Sequence, residues 1–308
     1  MAMTETAPPF RYIVAVDWSA ASTPTLGADS IWVCWLDTDT LDIDLTNHAT
    51  RLGARDALAA RLAATSPATR TLIAVDVSLG HPRGFARRAG LDTRPGPAWQ
   101  ATWAHLAATV IDDHGNRSTP PNDRWSVAAD LNARLGAPHF WGVPPARASL
   151  HLGPRKPTAL ADADSALAEY RLVEQRLRER GLRPFSVWQL LGAGAVGGQT
   201  LTALPVLHHL RHHPDLVDRL RVWPFETGVG APPSADIVVA EAWPSALPAD
   251  VVDAVEHPVK DARQVVALAE HMAALQRDGS LDAAFTPQLS AEDARAVVDE
   301  EGWVLGVS

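Results

Sequence analysis

The sequence has one cysteine, two lysines and no long uninterrupted hydrophobic stretch, and each scarcity excludes a class of protein. With Cys34 alone, the chain can form no internal disulfide and no metal site built only from thiolates, and its apolar surroundings predict a buried, inert thiol. No segment approaches the roughly 18 apolar residues that a membrane helix requires, and the N-terminus lacks a basic and apolar leader pattern. The sequence therefore predicts a cytoplasmic protein with no membrane association.

Positive charge is also in deficit, and arginine carries nearly all of it. The formal net charge is −9, and 25 arginines stand beside only Lys156 and Lys260. Nonspecific nucleic-acid binding depends on neutralising phosphates, so this balance argues against a general polyanion binder while leaving room for a local basic patch. Hydrophobic residues make up 46% and charged residues 20% of the chain, which is typical of a globular protein. The 308 residues suit one large domain carrying an insertion.

Hydrophobic patterning predicts an α/β fold. Strands are predicted at 11–17, 30–37, 41–47, 70–76 and 236–241, and the first, fourth and last of them are expected to lie in one sheet. Helices are predicted at 51–65 and from Asp261 onward. Between 81 and 234 the chain shows helical patterns punctuated by proline and glycine and no clear strand, with helices from Pro97 and over 160–180. The prediction is an α/β core at 11–80 and 235–308, interrupted by a mainly helical insertion at 81–234.

Acidic residues end three of the predicted strands, at Asp17, Asp76 and Glu241, and a fourth acid, Asp261, opens the last long helix. If the strands are neighbours, the carboxylates converge and repel one another unless a cation compensates. Mg²⁺ or Mn²⁺ is the natural cation, because hard ions prefer oxygen ligands, and two such ions can activate water against a phosphodiester. In that arrangement Asp17 bridges the ions. The alternative is that these acids cap helices or lie in solvated loops.

The order β, β, β, α, β with acids at the strand ends resembles the RNase H-like fold, a mixed sheet flanked by helices. The phrases VAVDWSA, AVDVSLGHPRG, AEAWPSAL and EEGWVLGV resemble domain-of-unknown-function family 429, described as predicted RNase H-like nucleases. The resemblance implies catalytic and metal-ligand roles for Asp17, Asp76 and Glu241, with Asp261 as a further metal ligand. Trp18 stands where relatives often have glycine, and its bulk disfavours access by a nucleic-acid duplex.

Several residues near these acids are candidates for binding a phosphate-containing substrate, such as a nucleotide or a single-stranded nucleic acid. The arginines that follow Asp76 could clamp phosphates, and tryptophans beside the acids could stack on bases. The predicted substrate-binding residues are Trp18, Ser19, Arg83, Arg87, Arg88, Trp243 and Lys260. The alternative for the arginines is a solvated basic loop, and for Lys260 a solvated helix end.

Two further motifs suggest other chemistry. GAGAVGG, at Gly192–Gly198, has the spacing of a dinucleotide-binding loop, but no second strand ending on an acid follows it, so tight helix packing or a substrate-facing turn is favoured. HHLRHH, at 208–213, spaces histidines four residues apart as in transition-metal sites, but without an HExxH signature or cysteine partner it favours an exposed helix end.

The sequence thus predicts a metal-dependent phosphodiester hydrolase related to nucleases. One alternative is an ATP-dependent phosphotransferase of the actin and sugar-kinase architecture, although DWSAAST lacks the glycine of its phosphate loop. Another is a noncatalytic protein that binds a nucleotide or a small ligand between the sheet and the insertion. Metal-dependent turnover separates the last alternative from the two enzymes, and consumption of ATP separates the enzymes from each other.

Overall fold

A computed structural model describes residues 8–112, 122–161, 167–192, 194–232 and 235–308. Its strands are β1 (Tyr12–Asp17), β2 (Ile31–Asp37), β3 (Ile43–His48), β4 (Thr71–Asp76), β5 (Leu220–Val222) and β6 (Ile237–Glu241). Its α-helices are α1 (Arg51–Ala64), α2 (Phe85–Arg88), α3 (Ala98–Thr109), α4 (Arg124–Leu135), α5 (Leu172–Glu179), α6 (Val196–Arg211), α7 (Ala249–Asp253), α8 (Lys260–Arg277), α9 (Leu281–Ala284) and α10 (Ala291–Ala296). Short 3-10 helices span Pro145–Arg147, Thr158–Ala161 and Pro244–Ala246, and a π-helical turn spans Val297–Glu301.

The six strands form one mixed sheet in the order β3-β2-β1-β4-β6-β5. The first three strands make an antiparallel meander, whereas β4 is parallel to β1, and β6 is parallel to both β4 and β5. The prediction that the strand regions 11–17, 70–76 and 236–241 share one sheet is therefore confirmed. The coarse fold class, an α/β protein with a mixed sheet flanked by helices, is confirmed as well.

Both faces of the sheet are covered, which explains why the central strands are apolar along their whole length. Alternate residues of a strand project to opposite faces. On one face, Val14 of β1 and Ile73 of β4 join a core with α1, α3 and α6. On the other face, Ala15 and Ala74 join a second core in which α8 packs against β1 and β2. Strands buried on both sides need continuous hydrophobic sequence, as observed.

The segment 81–234 is less purely helical than predicted. It contributes β5 to the edge of the sheet, and the three residues of this strand are too few to give a strand pattern in the sequence. Within the described part of 160–180, the α-helix is α5, which is preceded by the 3-10 helix Thr158–Ala161. The Glu174 carboxylate accepts the Arg171 backbone N–H at 2.9 Å and so fixes where α5 begins. Part of that prediction, 162–166, lies outside the described residues. α3 and α6 pack on the sheet core itself, and the proposed domain boundaries stay a prediction.

Three other predicted helices are confirmed. α1 fills 51–64, α3 begins directly after Pro97, and α8 begins at Lys260, one residue before the predicted start. In the described ranges no helix combines the length and the hydrophobicity needed to cross a bilayer.

Candidate functional site

Two aspartates stand side by side where β1 and β4 end. The strands are parallel, and Asp17 is the register partner of Asp76. Because register partners project to the same face of a sheet, both side chains lie at one edge on the side covered by α8. The predicted convergence of these strand ends is confirmed, while their chemical roles stay predictions.

The surroundings of these aspartates disfavour negative charge. Asp17 is only 9% exposed. Burial, followed by the charges of Asp76 and Asp261, raises the pKa of Asp17 well above its ordinary value, against the lowering effect of the Trp18 N–H. Burial, followed by the charges of Glu241 and Asp261, raises the pKa of Asp76 to about 7, while Lys260 opposes the rise. A bound cation would relieve this repulsion.

The first turn of α8 brings Asp261 and Lys260 to the same place. Asp261 acts on the pKa of both strand-end aspartates, and its Oδ2 accepts a hydrogen bond of 2.8 Å from the Asp29 N–H. Lys260 is exposed and forms no ion pair within the described part of the chain. Its ammonium group is therefore free to contact a ligand above the acids.

Glu241 occupies the end of β6 but faces away from the aspartates. Its register partner is Val75 rather than Asp76, so the alternation of side chains places it on the opposite face of the sheet. There the Arg171 guanidinium donates to Glu241 Oε1 at 2.5 Å and to Oε2 at 2.8 Å, and the Leu79 N–H donates to Oε2 at 2.9 Å. The strand pattern alone does not reveal this difference of one residue in register.

The Arg171 guanidinium is fully buried and serves two acids, Glu241 and Glu174. Burial opposes its charge, but the two carboxylates outweigh that effect and hold the pKa of Arg171 above its ordinary range. Burial raises the pKa of Glu241 while Arg171 opposes the rise. The sequence predicts Glu241 as a metal ligand, but both of its oxygens already accept hydrogen bonds from Arg171, which disfavours metal binding there.

A cavity of about 710 Å³ opens at these strand ends. All four predicted metal ligands and four of the seven predicted substrate-binding residues line it: Asp17, Trp18, Ser19, Asp76, Glu241, Trp243, Lys260 and Asp261. Most of the predicted site residues therefore line one cavity. They differ in their freedom to contact a ligand, because some are buried or already paired with other residues.

Trp18 and Ser19 shape the wall of the cavity. Trp18 is only 3% exposed, so its ring belongs to the core and offers little surface for stacking on a base. Ser19 Oγ donates to the Asp29 carbonyl at 2.6 Å and accepts from the Ala21 N–H at 3.2 Å, which fixes the loop after β1. Trp243 also lines the cavity and is half-buried.

The predicted arginine clamp lies elsewhere. Arg83, Arg87 and Arg88 are exposed on and beside α2, and none of them lines the cavity. The loop is turned toward the C-terminal segment, where Glu301 accepts the Arg83 N–H at 2.9 Å and the Arg83 side chain pairs with Glu292. These arginines therefore match the alternative of a solvated basic loop.

Two other arginines, Arg124 and Arg183, line the cavity instead. Both belong to the segment 81–234, where no strand ending on an acid marks a site. The basic residues nearest Asp76 along the chain therefore differ from those that folding brings to the cavity. No local signal in NDRWS or LRPF distinguishes them from other arginines.

The GAGAVGG segment both packs tightly and faces the cavity. Gly192 and Gly194 line the cavity, and α6 begins at Val196. A Cβ on Gly197 would lie 2.6 Å from the Gln189 carbonyl oxygen and closer still to that of Val187, so glycine permits this approach of backbone to backbone. The favoured interpretation of tight packing is confirmed. The predicted absence of NAD or ATP binding here stays a prediction.

The four histidines of HHLRHH line a second cavity of about 730 Å³. The His208 and His212 rings lie 4.2 Å apart between centroids. Burial, followed by the charges of His212 and His209, lowers the pKa of His208 to about 4. In the described ranges no group of three or more His, Cys, Asp or Glu side chains is arranged to hold a metal ion, at this cavity or at the acids.

Comparison with models of protein families, with curated proteins and with solved structures finds no match for this chain.

Proposed function

We propose that the protein is a divalent-cation-dependent phosphodiester hydrolase with an RNase H-like sheet. The observation that carries the proposal is the direct register pairing of Asp17 with Asp76 at the ends of two parallel strands. Their repulsion, strengthened by Asp261, leaves an excess of negative charge that a cation would balance. The resemblance of the acid-bearing motifs to predicted RNase H-like nucleases supports the same assignment.

The donor set fits one hard cation, Mg²⁺ or Mn²⁺. Asp17 and Asp76 would hold it, with Asp261 close enough to contribute its charge. Mg²⁺ is commonly bound by one or two carboxylates with water and substrate oxygens completing its shell, so a three-ligand protein cluster is not required. Bound there, the ion would supply Lewis-acid stabilisation of the phosphoryl oxygens. Glu241 is not among the proposed ligands, because both of its carboxylate oxygens accept hydrogen bonds from Arg171.

The protein's own residues would position the substrate. Lys260 is exposed beside the acids and would contact a phosphoryl oxygen as a point charge. Arg51 donates to the carbonyls of Ser19 and Ala21 and so fixes the loop that carries the wall of the cavity. The ion pair of Arg171 with Glu241 anchors the end of β6. Together these contacts give the acids a rigid setting before any ligand binds.

Noncatalytic binding of a small ligand is the second candidate. The cavity volume of about 710 Å³ lies within the range of small-molecule sites, and the burial of Trp18 removes an expected base-stacking surface. A phosphotransferase is less favoured, because the chain directly after Asp17 lacks the glycine of a phosphate loop. The two favoured candidates differ in one measurable respect, which is turnover.

The test is hydrolysis of bis(4-nitrophenyl) phosphate and of a single-stranded oligonucleotide with Mn²⁺. Asp17→Asn removes one carboxylate from the proposed pair, and we expect its rate to fall more than about 100-fold. Asp218→Asn is the control, because Asp218 is exposed and precedes β5 at the opposite edge of the sheet. Absence of Mn²⁺-dependent turnover in the parent, or equal rates in parent and Asp17→Asn, would reject the hydrolase in favour of a binding protein.

A further inference from the structure

Within the part of the chain that the structure describes, the buried side chain of Arg124 has no carboxylate partner. It opens α4, lines the same cavity as the acids and is only 5% exposed. Its Nη1 donates to Asn122 Oδ1 at 2.7 Å and to Ser22 Oγ at 3.3 Å. Its Cζ lies 4.0 Å from the centroid of the Trp125 ring. Among the described residues, its buried Nε has no acceptor and its Nη2 donates no hydrogen bond. A ligand in the cavity would supply the acceptors that these described residues do not.

The charge around Arg124 is unbalanced. Arg51 is also buried, and its guanidinium pairs with Asp112 through Nε and Nη2. Burial, followed by the charge of Arg51, lowers the pKa of Arg124 to about 10, while Asp112 opposes the fall. In the described ranges, Asp112 is thus the carboxylate that pairs with Arg51 and also acts on Arg124. An unpaired buried charge is strongly unfavourable, and an anion in the cavity would correct it.

The beginning of α6 adds a second source of positive potential. α6 has 16 residues, no acid in its first turn, and Ala195 and Val196 at the cavity wall. The aligned peptide dipoles of such a helix make its N-terminus attractive to anions. The buried indole Nε1 of Trp18, another lining residue, also lacks an acceptor among the residues that the structure describes. Each of these features favours a ligand rich in acceptor oxygens.

We propose that Arg124, with the N-terminus of α6, binds a phosphate group at a subsite distinct from the Asp17 and Asp76 pair. The cavity then has an acidic pole and a basic pole, and it suits a small phosphorylated molecule whose second functional group reaches the acids. That this molecule is the substrate rests on the proposed function. The phosphate subsite itself does not, because it requires neither a divalent cation nor turnover.

The experiment measures the unfolding temperature in EDTA, so that no divalent cation takes part. Sodium phosphate is compared with sodium acetate and sodium chloride at equal ionic strength, for the parent, Arg124→Gln and Arg134→Gln. Arg134 is the matched control, because it lies on the same helix, is exposed and pairs with Asp130. Phosphate at ten times its dissociation constant should raise the parent's unfolding temperature by about 2 to 4 °C.

Three results would support the subsite. The first is that phosphate, and neither acetate nor chloride, stabilises the parent and Arg134→Gln. The second is that Arg124→Gln loses this response to phosphate. The third is that Arg124→Gln without phosphate is at least as stable as the parent, since it lacks the unpaired charge. Stabilisation by acetate alone, no response of the parent, or an unchanged response of Arg124→Gln would overturn the proposal.

If Arg124→Gln fails to fold, Arg124→Lys should keep a weaker phosphate response, and a response equal to the parent's would count against a role for the guanidinium fork. None of these outcomes depends on hydrolase activity.

Discussion

Asp76 is the residue whose protonation most clearly couples the candidate site to stability. The pKa of Asp76 rises from 3.8 to about 7, first through burial and then through the charges of Glu241 and Asp261. Below about pH 4, Asp76 is protonated in the folded and unfolded states alike. As the pH rises toward 7, the unfolded chain loses this proton first, so ionisation favours unfolding. The full destabilisation is present above about pH 7.

Asp76→Asn should therefore stabilise the cation-free protein in a manner that depends on pH. The amide keeps the shape of the side chain and removes the repelling charge. In EDTA we expect little difference from the parent near pH 4 and a gain on the order of 2 kcal/mol at pH 8. Urea unfolding between pH 4 and pH 8 measures this difference in the free energy of unfolding, with Asp218→Asn as the control. A constant difference at every pH, or a loss at pH 8, would contradict the proposed repulsion.

The first turn of α6 requires glycine at position 197. α6 meets the backbone around Val187 and Gln189 so closely that an added methyl group at Gly197 would overlap their carbonyl oxygens. This contact also sets where the N-terminus of α6 faces the cavity. A change at this position should therefore affect both stability and the basic pole.

Gly197→Ala should destabilise the protein by about 1 to 3 kcal/mol, the usual penalty for overpacking. Gly153→Ala is the matched control, because a Cβ there would meet nothing within 4 Å. Thermal unfolding of the two variants and the parent makes the comparison. If both substitutions leave the unfolding temperature unchanged, the close approach of α6 is not as described.

The elements that could be predicted from sequence are those whose signal is local. Continuous apolar runs identify the central strands, and helical spacing with Pro97 identifies the start of α3. The face on which Glu241 projects depends on register with Val75, which is set by pairing across the sheet. The place of Arg124 likewise depends on how the long segment between β4 and β6 folds back. Such contacts leave no periodic pattern in the chain.

Both parts of the sequence contribute charged groups to one cavity. The strands and α8 supply Asp17, Asp76 and Asp261 together with Lys260, whereas the segment 81–234 supplies Arg124 and the N-terminus of α6 together with Glu174. The net charge of −9 therefore conceals a local basic pole. The arrangement favours a small ligand with separate groups for the two poles over a long polyanion held by general charge.

The proposed sharing of a divalent cation by Asp17 and Asp76 can be tested by measuring the unfolding temperature as a function of Mn²⁺ concentration. A cation that binds the native state should raise the unfolding temperature of the parent and of Asp218→Asn by about 2 to 4 °C at ten times its dissociation constant. Asp17→Asn, which loses a ligand and a repelling charge, should be at least as stable without Mn²⁺ and should lose most of that rise. If Asp17→Asn responds to Mn²⁺ as the parent does at every concentration, the two aspartates do not share an ion.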